Sequence, residues 1–428
     1  MLRIALLSYR SKPHCGGQGV YVRHLSRELA ALGHSVEVFS GQPYPELDDG
    51  PVLRELPSLD LYRDDDPFRT PRLDEYRDWT DVLETAMMWG GAFPEPLTFS
   101  IRALRTLAAR RHDFDVVHDN QGLGYGMLGL RRLELPLVTS IHHPISVDRR
   151  IDLGGLSGLD KLSRRRWYGF VRMQARVARR VGPLITVSES SKRDICRDFR
   201  VPSADVHIIP LGVDTRVFRP RAGAEASGAP GRALPDRAPG RIVAVASADS
   251  AIKGVGTLLR AIGKLVTERD VHLVVIGKPS PDTERLVGQL SLTDRVTFTH
   301  GLSDDAYAAL LASGEIAVIP SLYEGFSLPA VEHMASGTPL VASRTGALPE
   351  VTGDAAVLVK PGDSEELAAA LRRLHDSPAE RATLSERALA RVRERFAWSA
   401  VARATIEVYR TLLARGDDPP EPPGEHPC

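Results

Sequence analysis

The chain has 428 residues, 43% of them hydrophobic and 26% charged, enough for two domains that each bury a core and ordinary for a soluble globular protein. Lys+Arg and Asp+Glu both number 55, so net charge carries no information about partners and only local clustering can. Cys15, Cys196 and Cys428 have neither metal-ligand spacing nor a disulfide framework, which fits a reducing cytoplasm. The first apolar run is too short for a signal peptide, and no stretch approaches a membrane span.

Residues 3–8, RIALLS, form an unbroken apolar run of the kind that makes a strand buried on both faces. A glycine loop, Cys15-Gly16-Gly17-Gln18-Gly19, opens an amphipathic helix that Gly33-His34 ends, and SVEVFS supplies a second strand. This is a βαβ unit. Glycines there let backbone N–H groups approach an anionic ligand at the helix start. The spacing is not the G-x-G-x-x-G of dinucleotide enzymes, so no nicotinamide site is assigned. Residues 41–100 are poorly periodic and are expected to be an irregular, acceptor-side insertion; Trp89 and Phe93 argue against simple disorder.

The α/β rhythm resumes with FDVVHDN, a glycine-rich helix and the strand PLVTSIHHP, which ends at His142 and His143. Carboxyl ends of parallel strands face the ligand crevice of open α/β sheets, and a neutral-pH histidine there can meet a sugar hydroxyl or phosphate. His143 is expected to be a loop residue. From Arg149 to Arg180 the chain holds ten Lys or Arg and two Asp, a local charge of +8. Laid on one helix, residues 160–180 put Trp167, Phe170, Val171, Val177 and Ala178 on one face. Lys161, Arg165, Arg172, Arg176 and Arg179 fall on the other. One-signed charge of this kind suits an anionic membrane surface; nucleic acid is disfavoured, because no recognition motif accompanies it.

Residues 219–240 are rich in Pro, Gly, Ala and Arg and are expected to link an N-terminal domain (1–218) to a second one (241–395). The second half repeats the doubly wound pattern from RIVAVAS onward. A final helix (396–415) is expected to cross back to the first domain, and a tail (416–428) has disordered composition. Lys253 sits in IKG before a helix, where the dipole disfavours a cation unless an anion comes to meet it.

The most informative stretch is Ile319–Ala342, IPSLYEGFSLPAVEHMASGTPLVA. Glu324 and Glu332 stand eight positions apart across Gly325-Phe326-Ser327-Leu328 and a helix start, with Pro329 in its first turn and Ser327 as candidate cap. This stretch resembles the E-x(7)-E signature of the retaining family 4 glycosyltransferases. So do the GG loop, P-L-V-T-S-I-H ending at His142, and the run HIIPLGVDTRVFRP. The resemblance implies the GT-B fold, two doubly wound Rossmann-like domains facing a central cleft.

The same resemblance implies site roles. His142 and Glu324 would be catalytic. Gly16, Gly17, Lys253, Gly301, Leu302, Gly325, Phe326, Ser327, Leu328 and Glu332 would bind the donor, with Glu332 on the ribose and Gly301-Leu302 at the base. Gln18 would face the acceptor. The implied reaction moves a sugar from a nucleoside-diphosphate-sugar to an acceptor hydroxyl. No D-x-D motif is placed at a strand end, so no metal and no other cofactor is expected. The family's usual Gly-Arg pair before the Lys is replaced here by Ala246-Ser247, so Lys253 or a substitute such as Arg344 must serve the diphosphate. Two other readings stay open: a GT-B epimerase or phosphorylase, and a non-catalytic sugar-nucleotide-binding protein.

Overall fold

The computed structural model describes residues 1–12, 17–63, 66–142, 144–154, 156–220, 237–246 and 251–416. Gly16, His143, Ser247, most of the 219–240 linker and the tail beyond 416 lie outside the described residues. The chain divides into two compact units. The first comprises Met1–Val187, Ser191–Ile209 and the residues from Ser399 onward; the second comprises Ser188–Ser190 and Pro210–Trp398.

The first unit carries β1 (Arg3–Ser8), β2 (Ser35–Ser40), β3 (Val52–Glu55), β4 (Val116–Asn120), β5 (Leu137–Ile141), β6 (Leu184–Thr186) and β7 (Val206–Ile208). They form one sheet in the order β3-β2-β1-β4-β5-β6-β7, parallel throughout. The second unit carries β8 (Arg241–Val245), β9 (His272–Ile276), β10 (Val296–Thr299), β11 (Ile316–Ile319), β12 (Leu340–Ser343) and β13 (Ala356–Val359). Its order is β10-β9-β8-β11-β12-β13. Each sheet reverses strand order once, between β1 and β4 and between β8 and β11, and ligands bind at such switch points beyond the carboxyl ends.

Burial follows from helices covering both faces of each sheet. Ile4, Ala5, Leu6 and Leu7 of β1 are wholly buried, which is why RIALLS shows no alternation. The helix Val255–Leu265 buries Val255, Leu258, Leu259, Ala261, Ile262 and Leu265, a helical stripe one face wide.

Residues 41–100 are more regular than their sequence suggests. They hold β3, the helix Trp79–Trp89 and the start of the helix Glu95–Ala109. The helix Trp79–Trp89 is capped by Asp78, whose side chain accepts from the Thr80 and Asp81 N–H groups. Its apolar periodicity is lost because its inward face is charged: buried Asp81 and Glu84 meet Arg102 at 2.7 and 2.5 Å. Buried Glu95 pairs in the same way with Arg10 at 2.9 Å.

The basic stretch is also corrected. Residues 160–180 are not one helix but fall in two, Gly158–Trp167 and Phe170–Ala178, broken at Tyr168 and Gly169. Tyr168 is buried at the break, and its hydroxyl donates to Asp152 at 2.7 Å. The expected faces survive in the second helix, where Val171, Val177 and Ala178 are buried while Arg172 and Arg176 stay exposed. The first helix buries nothing. Among the described residues no helix is long and apolar enough to cross a membrane.

Candidate active site

In the second unit, the sequence-predicted residues gather beyond the carboxyl ends of β8, β10 and β11. Lys253 ends a short turn of 3-10 helix after β8, and Gly254 follows at φ +67° before the helix Val255–Leu265. A Cβ on Gly254 would stand 2.0 Å from the Pro320 carbonyl oxygen, so only glycine lets the two loops approach here. Lys253 Nζ donates to Glu324 Oε1 at 2.9 Å, a bond that spans the β8–β11 switch point. Ser321 Oγ donates to the same oxygen at 2.7 Å. Glu324's backbone is fixed from the other side, because its carbonyl accepts from Ala347 N–H at 2.9 Å. Gly346, at φ +53°, makes that possible; a Cβ there would lie 2.1 Å from the Glu324 carbonyl oxygen.

The loop then enters the helix Leu328–Ala335 with Pro329 in its first turn. Ser327 does not cap it. Its φ is +80° and its hydroxyl makes no capping bond, because the left-handed backbone turns the side chain away from the N–H groups it would have to accept from. The Ser327 side chain is buried, 6% exposed, and its Oγ has no hydrogen-bond partner. Phe326 is an anchor: it is buried and packs edge-on against Phe396 at 5.9 Å. Its ring is therefore unavailable to a ligand, and this segment offers the backbone of Gly325 to Leu328 instead.

Glu332 lies one turn into that helix. Tyr307 Oη donates to Glu332 Oε2 at 2.6 Å. Burial pushes the Glu332 carboxyl up to about 7; the Tyr307 bond opposes this and Asp304 adds to it. Tyr307 in turn packs edge-on against Phe218 at 5.8 Å, in the small cluster that also includes Leu302. Gly301 stands at φ +66° with open space where a Cβ would be. Arg344, the proposed substitute cation, donates to the Leu358 carbonyl at 3.2 Å and is exposed.

In the first unit, Gly17 opens the helix Gly17–Ala31, and Gln18 Nε2 donates to Tyr9 Oη at 3.5 Å. His142 follows β5. Its Nε2 lies 2.6 Å from Asn120 Oδ1, and its backbone N–H donates to Gln121 Oε1 at 3.0 Å. Asn120 Nδ2 donates to Ser8 Oγ at 3.4 Å, with the amide oxygen toward His142. Nε2 of His142 is therefore the protonated nitrogen and Nδ1 the acceptor. Burial lowers the His142 pKa to about 4, so the ring is neutral at physiological pH. Tyr21 holds it edge-on at 4.3 Å. Beneath it, His118 bridges Tyr409 Oη at 2.6 Å and Ser140 Oγ at 2.7 Å.

The structure thus brings Lys253, Glu324 and the Gly325–Leu328 backbone together in one unit, with His142 and Gln18 on the other. Sequence reasoning missed Ser321, Tyr307, Asn120 and Tyr21. Asn120 alone left a signal, as the last residue of a strand ending at a switch point. Among the described residues no three His, Cys, Asp or Glu side chains are grouped to hold a metal ion.

Comparison with known proteins gives the chain's family. The family described as "Glycosyltransferase Family 4" matches residues 15–217, and "Glycosyl transferases group 1" matches residues 239–377. The chain is 55% identical over 420 residues to the MMP alpha-(1->4)-mannosyltransferase of Mycolicibacterium hassiacum, covering 97% of this chain and 99% of that one. It is 29% identical to the D-inositol 3-phosphate glycosyltransferase of Kineococcus radiotolerans, covering 97% and 98%. Among solved structures, sucrose-phosphate synthase from Thermosynechococcus elongatus superposes with a TM-score of 0.71 at 24% identity, covering 97% and 100%. Anabaena HepE in complex with UDP-glucose superposes at 0.66 and 16% identity, covering 96% and 100%. These last two likenesses concern the fold. The chain belongs to the family 4 glycosyltransferases, with the GT-B fold, and is a glycosyltransferase.

Proposed function

We propose that the protein is a retaining mannosyltransferase that moves mannose from a nucleoside-diphosphate-mannose to a 4-hydroxyl of an acceptor sugar, giving an α-(1→4) link. The donor class and roles come from the family, and the sugar and linkage from the 55% identical mannosyltransferase. The observation that carries the reading is the Lys253–Glu324 contact across the switch point, with Glu332 one helix turn away. Breaking the anomeric C–O bond sends its electron pair to the diphosphate, which needs a cation and N–H donors to receive it. Lys253 and the N–H groups of Gly325 to Leu328 supply these, so no metal ion is invoked and activity should survive EDTA. Glu332 takes the ribose hydroxyls, and Gly301-Leu302 the base. Gly17 lies on the phosphate side and Gln18 on the acceptor side. Neutral His142 accepts a hydrogen bond from a sugar hydroxyl at Nδ1, and the acceptor hydroxyl's proton passes to the departing diphosphate oxygen as the new C–O bond forms.

Ser327 fits this reading. A buried, unbonded hydroxyl on a residue held at positive φ costs stability, which makes sense if the hydroxyl bonds the donor. Thermal shift across a panel of nucleoside-diphosphate sugars should single out the mannosyl donor. Ser327→Gly should leave the ligand-free Tm equal or higher while weakening donor binding by about 1 kcal/mol. A Gly variant with a lower Tm and unchanged donor affinity would make the hydroxyl structural.

The basic stretch 149–180 is proposed to face an anionic membrane surface on the cytoplasmic side. Its helix Gly158–Trp167 supports this with Leu159 and Leu162, 83% and 54% exposed among cations. A protein that ignores anionic vesicles at low salt would instead have a soluble acceptor and no membrane role. Epimerase or phosphorylase activity would be seen as a changed sugar nucleotide, or a sugar phosphate, with no acceptor product.

A further inference from the structure

The helices Ser146–Gly154 and Gly158–Trp167 of the first unit flank an open surface cavity of about 270 Å³. Four cationic side chains line it, Arg149, Arg150, Lys161 and Arg165, with Ser146 and Leu153. No carboxylate is in the lining. Arg150 is the only one of the four with an ion pair among the described residues, to Asp198 at 3.3 Å, and Ser146 Oγ donates to the same carboxylate at 2.6 Å. The nearby acids are engaged elsewhere or lie outside the lining: Asp152 accepts from Tyr168, and Asp160 sits in the first turn of the second helix. Arg149 is only partly exposed, and its Nε is buried with no hydrogen-bond partner.

This arrangement is incomplete as it stands. Three unopposed cations around one small space repel one another, and a surface helix normally mixes signs instead. The partner that relieves this repulsion is a compact anion with several oxygens, which the planar guanidinium fork matches in pairs. The volume is near the lower end for small-molecule sites, roughly 300 Å³, enough for a phosphate and a small attached group.

We propose that this cavity is a binding site for a phosphate group, separate from the diphosphate site of the second unit and independent of the donor assigned there. The phosphate belongs either to a soluble phosphorylated ligand or to a lipid headgroup. The exposed Leu159 and Leu162 flank Lys161 and would sit in the acyl region in the second case.

The test uses the full chain carrying Lys253→Ala, which removes the other phosphate-binding cation. Inorganic phosphate and glycerol phosphate are titrated calorimetrically at 0.15 M salt, and vesicles of phosphatidylcholine with and without phosphatidylglycerol are sedimented. The further changes Arg149→Gln, Lys161→Gln and Arg165→Gln together should weaken binding at least tenfold in one arm or both, with an unchanged circular dichroism spectrum. Loss in the soluble arm alone identifies a free phosphorylated ligand; loss in the vesicle arm identifies a lipid. Should the triple change disturb folding, Lys161→Glu alone should give the same loss, and Arg149→Lys with Arg165→Lys should retain binding. If neither arm distinguishes the altered cavity from its parent, the site is refuted.

Discussion

Replacing Lys253 with alanine should cut kcat/KM by about 100- to 1,000-fold, the scale seen when one preorganised donor to a developing anion is lost. The effect has two sources that geometry ties together. An ammonium carries three N–H donors. One is spent on Glu324 Oε1 at 2.9 Å, which leaves two that can reach a phosphate oxygen while the first bond holds. In the proposed reaction Lys253 therefore both positions Glu324 and receives the leaving group. Glu324→Gln keeps the shape and the Ser321 bond but removes the charge, so it should lower kcat by a similar factor and change donor affinity little. Because the two side chains act through one contact, the double variant should be far less damaged than the product of the singles. Multiplying effects would mean that Lys253 and Glu324 serve separate steps, and near-normal donor binding and turnover in Lys253→Ala would remove it from the diphosphate altogether.

The second large effect concerns Glu332 and is one of pH. In the proposed function Glu332 takes the ribose hydroxyls, which donate and so favour the ionised carboxylate, while burial raises this carboxyl to about 7 in the free protein. Donor affinity should accordingly rise with pH through 7. At pH 6 about one-tenth of the protein carries the carboxylate, so donor binding should be roughly tenfold weaker than its limit above pH 8. The groups that face the carboxyl are Tyr307, whose bond lowers its pKa, and Asp304, which raises it. Tyr307→Phe removes the lowering contribution, so the midpoint should move up and affinity at pH 7 should fall, with kcat little changed. Glu332→Gln should abolish the pH dependence, and Glu332→Ala should cost about 1–3 kcal/mol of donor binding. The measurement needs the intact sugar nucleotide, because a free nucleoside diphosphate titrates its own terminal phosphate in this range. For folding the sign is opposite. A carboxyl raised in the folded state binds more protons there than when unfolded, so its contribution to stability declines as pH rises from about 4.5 to 7.

What could be read in the sequence was whatever depends on local pattern. Buried parallel strands show as unbroken apolar runs such as RIALLS and HLVVI, and the loop from Glu324 to Glu332 is contiguous, so both halves of the fold and most of the second unit's site were legible. The region 41–100 was not, since Asp81, Glu84 and Glu95 face inward against Arg102 and Arg10 and carry no hydrophobic period. Ser327 looked like a helix cap because cap preference is written in residue type, whereas its φ of +80° is set by the packing of Phe326 and the helix that follows. The support under His142 was out of reach for another reason. His118 and Tyr409 are 291 positions apart in the chain yet meet at 2.6 Å, a contact that only the closed fold creates. Tyr307 belongs to the same class, 25 positions from the carboxylate it holds.

The most direct test is proton NMR of the anomeric region while the protein, a nucleoside-diphosphate-mannose and an acceptor with a free 4-hydroxyl react. The first new signal should be an α-linked mannoside, growing in step with release of one nucleoside diphosphate per linkage formed. A β-linked product would contradict retention, and free mannose or mannose phosphate with no linked product would contradict glycosyl transfer to this acceptor class.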